Sequence, residues 1–209
     1  MKVIGFNASP RKNGNTTTLV KAVLKGAEGK GAEVRFVNLH RLKMKGCLGC
    51  EGCKKDLGKC VQKDDLSPIL QDLKEYDAIV LGTPTYWWHV NPQLKMLTDR
   101  FYCFISEEAN PETGEINFRT VFPGGKKFVV VTSRGDVEDA QLFPELYKHM
   151  FEWLRMVTGV MGASSTEFLN HFGSFNDKDS AKNNTDLLAR AKSIGASLSN
   201  SACAPFGNR

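Results

Sequence analysis

Residues 2–19 read KVIGFNASPRKNGNTTTL, and this stretch decides the fold. Val3, Ile4 and Phe6 are β-branched or aromatic, as is typical of a buried parallel strand. Polar, turn-forming residues end the strand, and from Thr16 onward apolar side chains recur at helical spacing. The sequence therefore predicts a strand, a donor-rich loop and the start of a helix, in that order.

The loop between this strand and helix has the chemistry of a phosphate site. Backbone N–H groups and the positive end of the helix dipole favour an anion at such a place. Its side-chain donors are Ser9, Arg11, Asn13, Asn15, Thr16 and Thr17. Neither GxGxxG nor GxxxxGK[ST] is present, so neither a dinucleotide fold nor a P-loop is indicated. The donors suit a terminal phosphate monoester, and the alternative is an N-capped helix that follows a turn.

Length, composition and charge exclude several classes of protein. A chain of 209 residues with 41% hydrophobic residues predicts one α/β domain, which we place at 1–200 with a flexible tail at 201–209. The net charge of +5 is spread along the chain and does not indicate a nucleic-acid surface. We see no signal-peptide pattern and no run long enough to span a membrane. Six cysteines without a secretory signal indicate reduced thiols or metal ligands, and thus a cytoplasmic protein.

Strand and helix patterns alternate along the chain, which predicts a parallel sheet with helices on both faces. Further strands are predicted at 33–39, 76–82, 127–132 and 164–169. Further helices are predicted from 66 and from 92, over 138–159 and over 179–199, with Leu142, Leu146, Met150, Trp153, Leu154 and Val157 as the buried stripe of the third. Pro144 either kinks that helix or marks its true first turn. The polar segment 107–125 has no clear period, which favours a lid or a partner-contacting excursion.

Three loops are expected to meet at the carboxyl edge of this sheet, where ligands bind in such folds. They are 9–17, 83–89 and 132–136. The second loop offers Pro84, Thr85, Tyr86 and Trp87 to the edge and face of a heterocycle. Flavin mononucleotide (FMN) suits these loops better than ATP, because it needs no magnesium-binding carboxylate. The alternative is that the aromatic residues pack the edge of the sheet.

A glycine- and cysteine-rich insert, 46–61, has the compactness of a metal site. Its pattern is Cys47-x2-Cys50-x2-Cys53-x6-Cys60, with glycines that permit a tight wrap. Ferredoxin-type clusters use similar runs. Three alternatives are an empty structural loop, a zinc site and a redox dithiol. Nearby lysines would offset a negative cluster or form a solvated face. Cys103 is expected to be an inert buried thiol.

Residues 1 to about 170 resemble the NADPH-dependent FMN reductase and iron–sulfur flavoprotein family. The resemblance rests on ASPRKNGNT, CLGCEGCKKDLGKCVQKDD, GTPTYW and QLKMLTDR, which occur in family order. It implies a flavodoxin-like three-layer sandwich with a five-stranded parallel sheet in the order 2-1-3-4-5. It also implies FMN phosphate on the first loop and isoalloxazine contacts from 84–87 and from Thr132, Ser133 and Gly135. A 4Fe–4S cluster on Cys47, Cys50, Cys53 and Cys60 is implied as well.

These expectations give an oxidoreductase hypothesis in which bound FMN does the chemistry and no side chain is catalytic. Electrons would pass between an iron–sulfur cluster or NAD(P)H and a small acceptor such as oxygen, peroxide, a quinone or flavin. A ferredoxin-like donor and a homodimer or homotetramer are expected partners. The alternatives are a non-enzymatic electron carrier, a cluster-free NAD(P)H:FMN or quinone reductase, and a binding module. The four histidines occur singly and are expected at the surface, and no hydrolytic constellation is present.

Overall fold

The computed structural model describes residues 1–175 and 177–199. The strands are β1 (Lys2–Asn7), β2 (Glu33–Asn38), β3 (Ala78–Tyr86), β4 (His89–Val90), β5 (Ile105–Ala109), β6 (Ile116–Thr120), β7 (Lys126–Ser133) and β8 (Ala163–His171). The α-helices are α1 (Asn15–Glu28), α2 (Leu66–Asp72), α3 (Pro92–Arg100), α4 (Pro144–Val160), α5 (Ser180–Asn183) and α6 (Thr185–Ser197). Short 3-10 turns cover Leu39–Arg41, Gly52–Lys55, Leu73–Glu75 and Phe101–Phe104.

Five parallel strands form the main sheet in the order β2-β1-β3-β7-β8. The predicted parallel sheet and its order 2-1-3-4-5 are therefore confirmed. Two additions were not predicted: β4 pairs antiparallel with the end of β3, and β5 and β6 form a separate antiparallel hairpin. That hairpin occupies most of 107–125, so the absence of a visible period there did not mean an absence of strands.

Alternate side chains of each strand enter two separate cores, one on each face of the sheet. Phe6 packs with α2, α3 and α4 on one face, and Val3 packs with α1 and α6 on the other. Glycines let the second layer pack closely: a Cβ at Gly195 would lie 1.8 Å from the carbonyl oxygen of Val23 in α1. Helices on both faces are thus confirmed, and the sheet presents its carboxyl edge between them.

Two helices differ from the prediction. Helix α4 begins at Pro144 rather than near 138, because proline is favoured in a first turn and lacks an N–H to donate. Leu142 and Leu146, expected in its buried stripe, are 62% and 40% exposed. The helix predicted over 179–199 is broken at Asn184, whose side chain accepts a hydrogen bond from the Leu187 N–H and starts α6. The predicted tail, 201–209, lies outside the described residues.

A further result concerns hydropathy. Among 1–175 and 177–199 there is no helix with the length and apolar character needed to cross a bilayer.

Candidate functional site

A fully buried asparagine joins the first two loops at the carboxyl edge of the sheet. Asn91 Nδ2 donates to the carbonyl oxygen of Ala8 at 2.6 Å, and the Asn91 N–H donates to Thr83 Oγ1 at 3.1 Å. Its Oδ1 also caps α3 by accepting from the Leu94 N–H at 3.2 Å. The sequence predicted only a helix start at this position. Its role in joining two loops arises from contacts between residues far apart in the chain.

The first loop leaves the amino end of α1 open. Gly14 is the N-cap residue and has no side chain to accept from the first-turn N–H groups. The two best-placed hydroxyls are used inside the loop: Ser9 Oγ accepts from the Arg11 N–H at 3.2 Å, and Thr17 Oγ1 donates to the Arg11 carbonyl at 2.8 Å. These bonds hold the backbone in place around the helix end. The arrangement fits the predicted phosphate group, for which first-turn N–H groups are good donors.

Two other predicted phosphate ligands are hydrogen-bonded within the protein. The Arg11 guanidinium forms an ion pair with Asp179 at 2.7 Å and donates to the Lys178 carbonyl at 2.8 Å. Asn15 Oδ1 accepts from the Ala181 N–H at 3.0 Å. Both side chains thus attach the segment around α5 to the first loop. Their contact with a phosphate remains a prediction.

Two remaining residues of the loop have different surroundings. Thr16 is 2% exposed and lies against β3, because Gly82 has no Cβ to keep the helix away. A Cβ at Gly82 would lie 2.3 Å from Val20 and 3.2 Å from Thr16. Asn13 is exposed at the tip of the loop. The structure therefore brings the backbone of Thr16, but not the side chain of Asn13, into the centre of the loop.

The second loop is a tight hairpin between β3 and β4 with two tryptophans at its turn. Trp87 and Trp88 have φ of 50° and 60°, a left-handed backbone conformation that residues other than glycine and asparagine rarely adopt. Trp88 packs edge-to-face on Phe143 with centroids 5.2 Å apart, and His89 packs on Trp153 at 5.0 Å. These contacts stabilise the turn. Trp87 is 89% exposed, so sheet-edge packing accounts for Trp88 and not for Trp87.

Next to this turn lies an unpaired hydroxyl. Thr85 Oγ1 is buried and has no hydrogen-bond partner among the described residues. Buried hydroxyls are normally paired, and the absence of a partner has a free-energy cost. Pro84 and Tyr86, on either side of it, are half-buried and exposed respectively. A donor and acceptor in this position fits the polar edge of a flavin ring.

Hydroxyls of the third loop are hydrogen-bonded to β8. Thr132 Oγ1 donates to Asn170 Oδ1 at 2.8 Å, and Ser133 Oγ lies 3.0 Å from His171 Nδ1. His171 Nε2 lies 3.0 Å from Ser180 Oγ, so the imidazole bridges the third loop and α5. His171 is 4% exposed, and its predicted surface location is wrong. Burial lowers its pKa, which favours the neutral imidazole.

A buried arginine stiffens the turn that contains Gly135. The guanidinium of Arg134 stacks on Tyr147 at 3.8 Å and on Phe172 at 4.7 Å, and it donates to the Val137 carbonyl at 2.6 Å. The Gly135 carbonyl accepts from a backbone N–H of the segment after β8. The sequence indicated a functional turn here, yet gave no sign that its arginine would be buried.

The four motif cysteines line one shared cavity beside the last residue of α3. Cys53 is buried, Cys60 is half-buried, and Cys47 and Cys50 are exposed. All the cysteines in the described part of the chain are free thiols. Within that part, no three metal-binding side chains are grouped closely enough to hold an ion in the present geometry. The donor set fits a thiolate-bound group, but the spacing would have to close around it.

The backbone of the cysteine loop wraps as its glycines predicted. Gly49 has a φ of 62°, Glu51 has a φ of 53°, and the Gly49 N–H lies 3.5 Å from the sulfur of Cys47. Successive left-handed residues turn the chain back on itself. Backbone N–H groups near thiolates are typical of sites that hold iron–sulfur groups. The backbone turn of the described loop is therefore of the kind that such sites use.

Lys54 is not part of a solvated face. Its Nζ lies 3.3 Å from the centroid of the Tyr102 ring and donates to the Ile105 carbonyl at 2.6 Å. This cation fixes the cysteine loop to the start of the β5–β6 hairpin. Cys103 is buried as expected, and burial together with the nearby Cys60 raises the pKa of its thiol to about 12. A thiol with that pKa stays protonated and unreactive.

Comparisons with known proteins identify related sequences. The sequence model of the family described as NADPH-dependent FMN reductase matches residues 1–167. An iron-sulfur flavoprotein of Methanocaldococcus jannaschii is 47% identical over 100 residues, which are 48% of this chain and 51% of the relative. The chain thus spans about half the length of the curated relatives that it matches.

Solved structures share the fold at low identity. An NAD(P)H:quinone oxidoreductase from Methanothermobacter marburgensis has a TM-score of 0.73 at 19% identity and covers 98% of both chains. An FMN-dependent NADH-azoreductase from Bacillus anthracis, solved in complex with FMN, has a TM-score of 0.70 at 15% identity over 95% of this chain and 99% of its own. At such identities the likeness concerns the fold alone.

Proposed function

Because the chain belongs to the NADPH-dependent FMN reductase family, we propose that it is an FMN-dependent oxidoreductase that passes electrons to a small acceptor. The observation that carries the proposal is the open amino end of α1, joined through Asn91 to a loop with an unpaired Thr85 hydroxyl. The first turn of α1 holds the phosphate. Thr85 and the neighbouring backbone bind the polar edge of the ring, with Tyr86 and Trp87 at its face.

The residues of this chain bind and orient the cofactor, and the flavin supplies the chemistry because its ring accepts a hydride or single electrons. Thr132 and Ser133 contribute through their backbone, since their hydroxyls are hydrogen-bonded to β8. Arg134 and His171 keep that turn in place. Arg11 reaches the phosphate only if it leaves Asp179, so it serves first as a tether between the loop and α5.

The second part of the proposal is a 4Fe–4S cluster on Cys47, Cys50, Cys53 and Cys60. Two observations support it: all four thiols line one cavity, and a relative at 47% identity is named an iron-sulfur flavoprotein. A cluster would deliver single electrons from a ferredoxin-like donor. We propose that the loop closes around the cluster when it is assembled, as thiolate sites commonly do.

A test of both parts starts with protein purified anaerobically from cells. We expect one FMN and about four irons with matching acid-labile sulfide per chain. Cys60→Ala should lose the iron and keep the flavin. Cys103→Ala should keep both: its thiol lines the same cavity, but burial raises its pKa to about 12 and so opposes the thiolate that a metal requires. Flavin without iron in the wild type would remove the cluster. The absence of bound flavin after addition of FMN would overturn the proposal that the protein is an FMN-dependent oxidoreductase.

The second candidate is a cluster-free NAD(P)H:quinone reductase. The observation that favours it is the spacing of the thiols: among the residues that the structure describes, no three metal-binding side chains lie close enough together to hold an ion, and Cys47 and Cys50 are exposed. The two candidates differ in their electron donor. Iron-free protein that reduces quinones with NAD(P)H as fast as iron-loaded protein supports the second, and dependence on reduced ferredoxin supports the first.

We further propose that the protein forms a homodimer or homotetramer. Exposed apolar side chains occur on the β5–β6 hairpin and before α4, including Phe118 at 61% and Phe143 at 52%. Surfaces of this kind favour contact with another chain. Sedimentation equilibrium tests the proposal, and Phe118→Ser distinguishes a hairpin interface from one formed elsewhere. A monomeric wild type would contradict it.

A further inference from the structure

Arg100, the last residue of α3, is 1% exposed and uses four of its five N–H donors within the chain. Nη1 donates to Asp64 Oδ2 at 2.8 Å and to the Lys45 carbonyl at 3.0 Å. Nη2 donates to Asp64 Oδ1 at 3.3 Å and to Ser67 Oγ at 3.1 Å. A guanidinium so fully buried and paired has one orientation. The remaining donor, Nε–H, therefore has a fixed direction.

These partners place Arg100 at the base of the cysteine loop. Lys45 lies just before Cys47 and Asp64 lies shortly after Cys60, so one guanidinium clamps both ends of the loop. Asp64 reinforces the clamp by accepting from the Lys45 N–H at 3.1 Å. The two ends of the loop are thus held at a fixed separation from each other and from α3.

The fifth donor is unpaired. Arg100 Nε is buried and has no hydrogen-bond partner among the described residues, which is costly for a charged group. Arg100 lines the cavity shared by the four motif cysteines. Cys60 lies near enough for the charge of its sulfur to act on the guanidinium. Thiolate sulfur accepts hydrogen bonds, and a metal-bound thiolate keeps that ability.

We propose that Arg100 donates its fifth hydrogen bond, from Nε, to the sulfur of Cys60 and so raises the reduction potential of the group that the cysteines hold. This inference rests on the proposed cluster. An N–H donor to a ligand sulfur stabilises the reduced, more negative state more than the oxidised one. Arg100 is thereby a positioning residue that acts through Cys60, while its other four donors hold the loop.

The experiment measures the cluster and flavin midpoint potentials in one anaerobic redox titration of the loaded protein. Arg100→Met removes the charge and all five N–H donors, and Arg100→Lys keeps a charge but lacks the Nε–H. In both variants we expect the equilibrium constant for cluster reduction to fall about tenfold, which is 59 mV for a one-electron couple. The flavin midpoint should stay unchanged. Lys95→Gln, which removes an exposed charge from the same helix, should move neither potential.

A double variant covers the case in which Arg100→Met does not fold because Asp64 is left without its ion-pair partner. Arg100→Met with Asp64→Asn removes both charges of the buried pair, and the amide oxygen can still accept from the Leu66 and Ser67 N–H groups at the start of α2. It should show the same fall in the cluster potential. If Arg100→Lys has the wild-type cluster potential, the proposed hydrogen bond is refuted, and any effect of Arg100 on the potential comes from its charge alone. A wild-type potential in every variant would overturn the whole inference.

Different results would refute the proposed cluster and the inference about Arg100. If anaerobic wild-type protein contains no iron and takes up none on reconstitution, the cluster is refuted, and this inference with it. If the wild type carries a cluster whose potential is independent of Arg100, only the inference about Arg100 is refuted. The iron content of the wild type therefore separates the two failures.

Discussion

The phosphate loop, 9–17, and the cysteine loop, 46–61, are both candidate ligand sites, and they differ in what holds them. A strand and a helix fix the two ends of the first, and hydrogen bonds from Ser9 and Thr17 fix its middle. The second is clamped at its ends by Arg100, while Cys47 and Cys50 in its middle are exposed. Secondary structure thus preorganises the first loop, whereas the second would be completed only by the proposed cluster.

We expect the largest effect from a substitution that disrupts the phosphate loop, 9–17. Asn91→Ala should lower the free energy of unfolding by about 3 kcal/mol, because it leaves the Ala8 carbonyl and the Leu94 N–H without their partner. FMN affinity should fall as well. Chemical denaturation and flavin titration measure both. Asn117→Ala, at an exposed site on β6, is the control, and an equal loss there would contradict the specific role of Asn91.

A second substitution, in strand β3 of the sheet, should disturb the same loop. Gly82→Ala places a Cβ 2.3 Å from Val20, so α1 must move and about 2 kcal/mol of stability should be lost. Because the amino end of α1 moves, FMN binding should weaken in parallel. The matched control is Gly159→Ala in α4, where a Cβ meets nothing within 4 Å and a small gain in stability is expected. Thermal unfolding with and without FMN distinguishes these outcomes.

Acid should loosen the clamp of the cysteine loop. Although burial opposes it, the ion pair with Arg100 lowers the pKa of Asp64 to about 2. The stabilisation from a carboxyl with a depressed pKa is complete above its unfolded value, near 3.8, and is lost as the pH falls toward 2. The unfolding free energy of the wild type should fall over this range more steeply than that of Asp64→Asn. Parallel curves would show that the pair contributes no pH dependence.

A backbone change in the cysteine loop should affect metal retention more than overall stability. Gly49→Ala forces a side chain into a left-handed conformation, at a local cost of about 1 kcal/mol. We expect the variant, loaded with the proposed cluster, to lose iron several-fold faster than the wild type on exposure to a chelator, with flavin content unchanged. Gly46→Ala meets Met96 only at 3.5 Å and serves as the control. Equal iron loss in the two variants would show that the left-handed turn is not needed.

The smallest effect concerns His171, which ties the third loop to α5. Burial lowers its pKa below the ordinary value of 6.5, so the unfolded chain takes up a proton more readily than the folded chain. Stability from this group is complete above pH 6.5 and falls as the pH drops below it. The unfolding free energy of His171→Gln should therefore vary less between pH 7 and pH 5 than that of the wild type.

Local patterns predicted the parallel sheet and the loops at its carboxyl edge, and the family resemblance implied the strand order. Strands of β-branched residues and helices with caps are decided by neighbours in the chain, and these predictions are confirmed. Leu142 was misplaced because its spacing extends the period of α4 beyond Pro144, where the helix begins, and Leu146 lies in the first turn of the helix, ahead of the part that packs on the core. The β5–β6 hairpin was missed because all of β6 and the last three residues of β5 are exposed, so burial imposes no alternation.

The sequence predicted which types of residue form the site, but not which residues contact each other there. Arg11 with Asp179, Ser133 with His171 and Asn91 with Ala8 join residues that lie tens of positions apart or more. No periodicity encodes such pairs, since they depend on how completed elements approach each other. Arg100 is the clearest case. Its position in a helix with a buried apolar face gave no indication that four of its donors would be used.

The contact between α1 and α6 has a consequence for biosynthesis. Gly26 and Gly195 let the two helices touch through their backbones, and α1 is the helix whose amino end forms the phosphate loop. During translation α1 leaves the ribosome long before its partner, with the apolar side chains of Leu19 and Val23 still uncovered. Contacts of such long sequence separation form slowly. The nascent chain therefore has its first helix exposed until nearly all of the sheet is made, and this is the stage at which chaperones would be of most use.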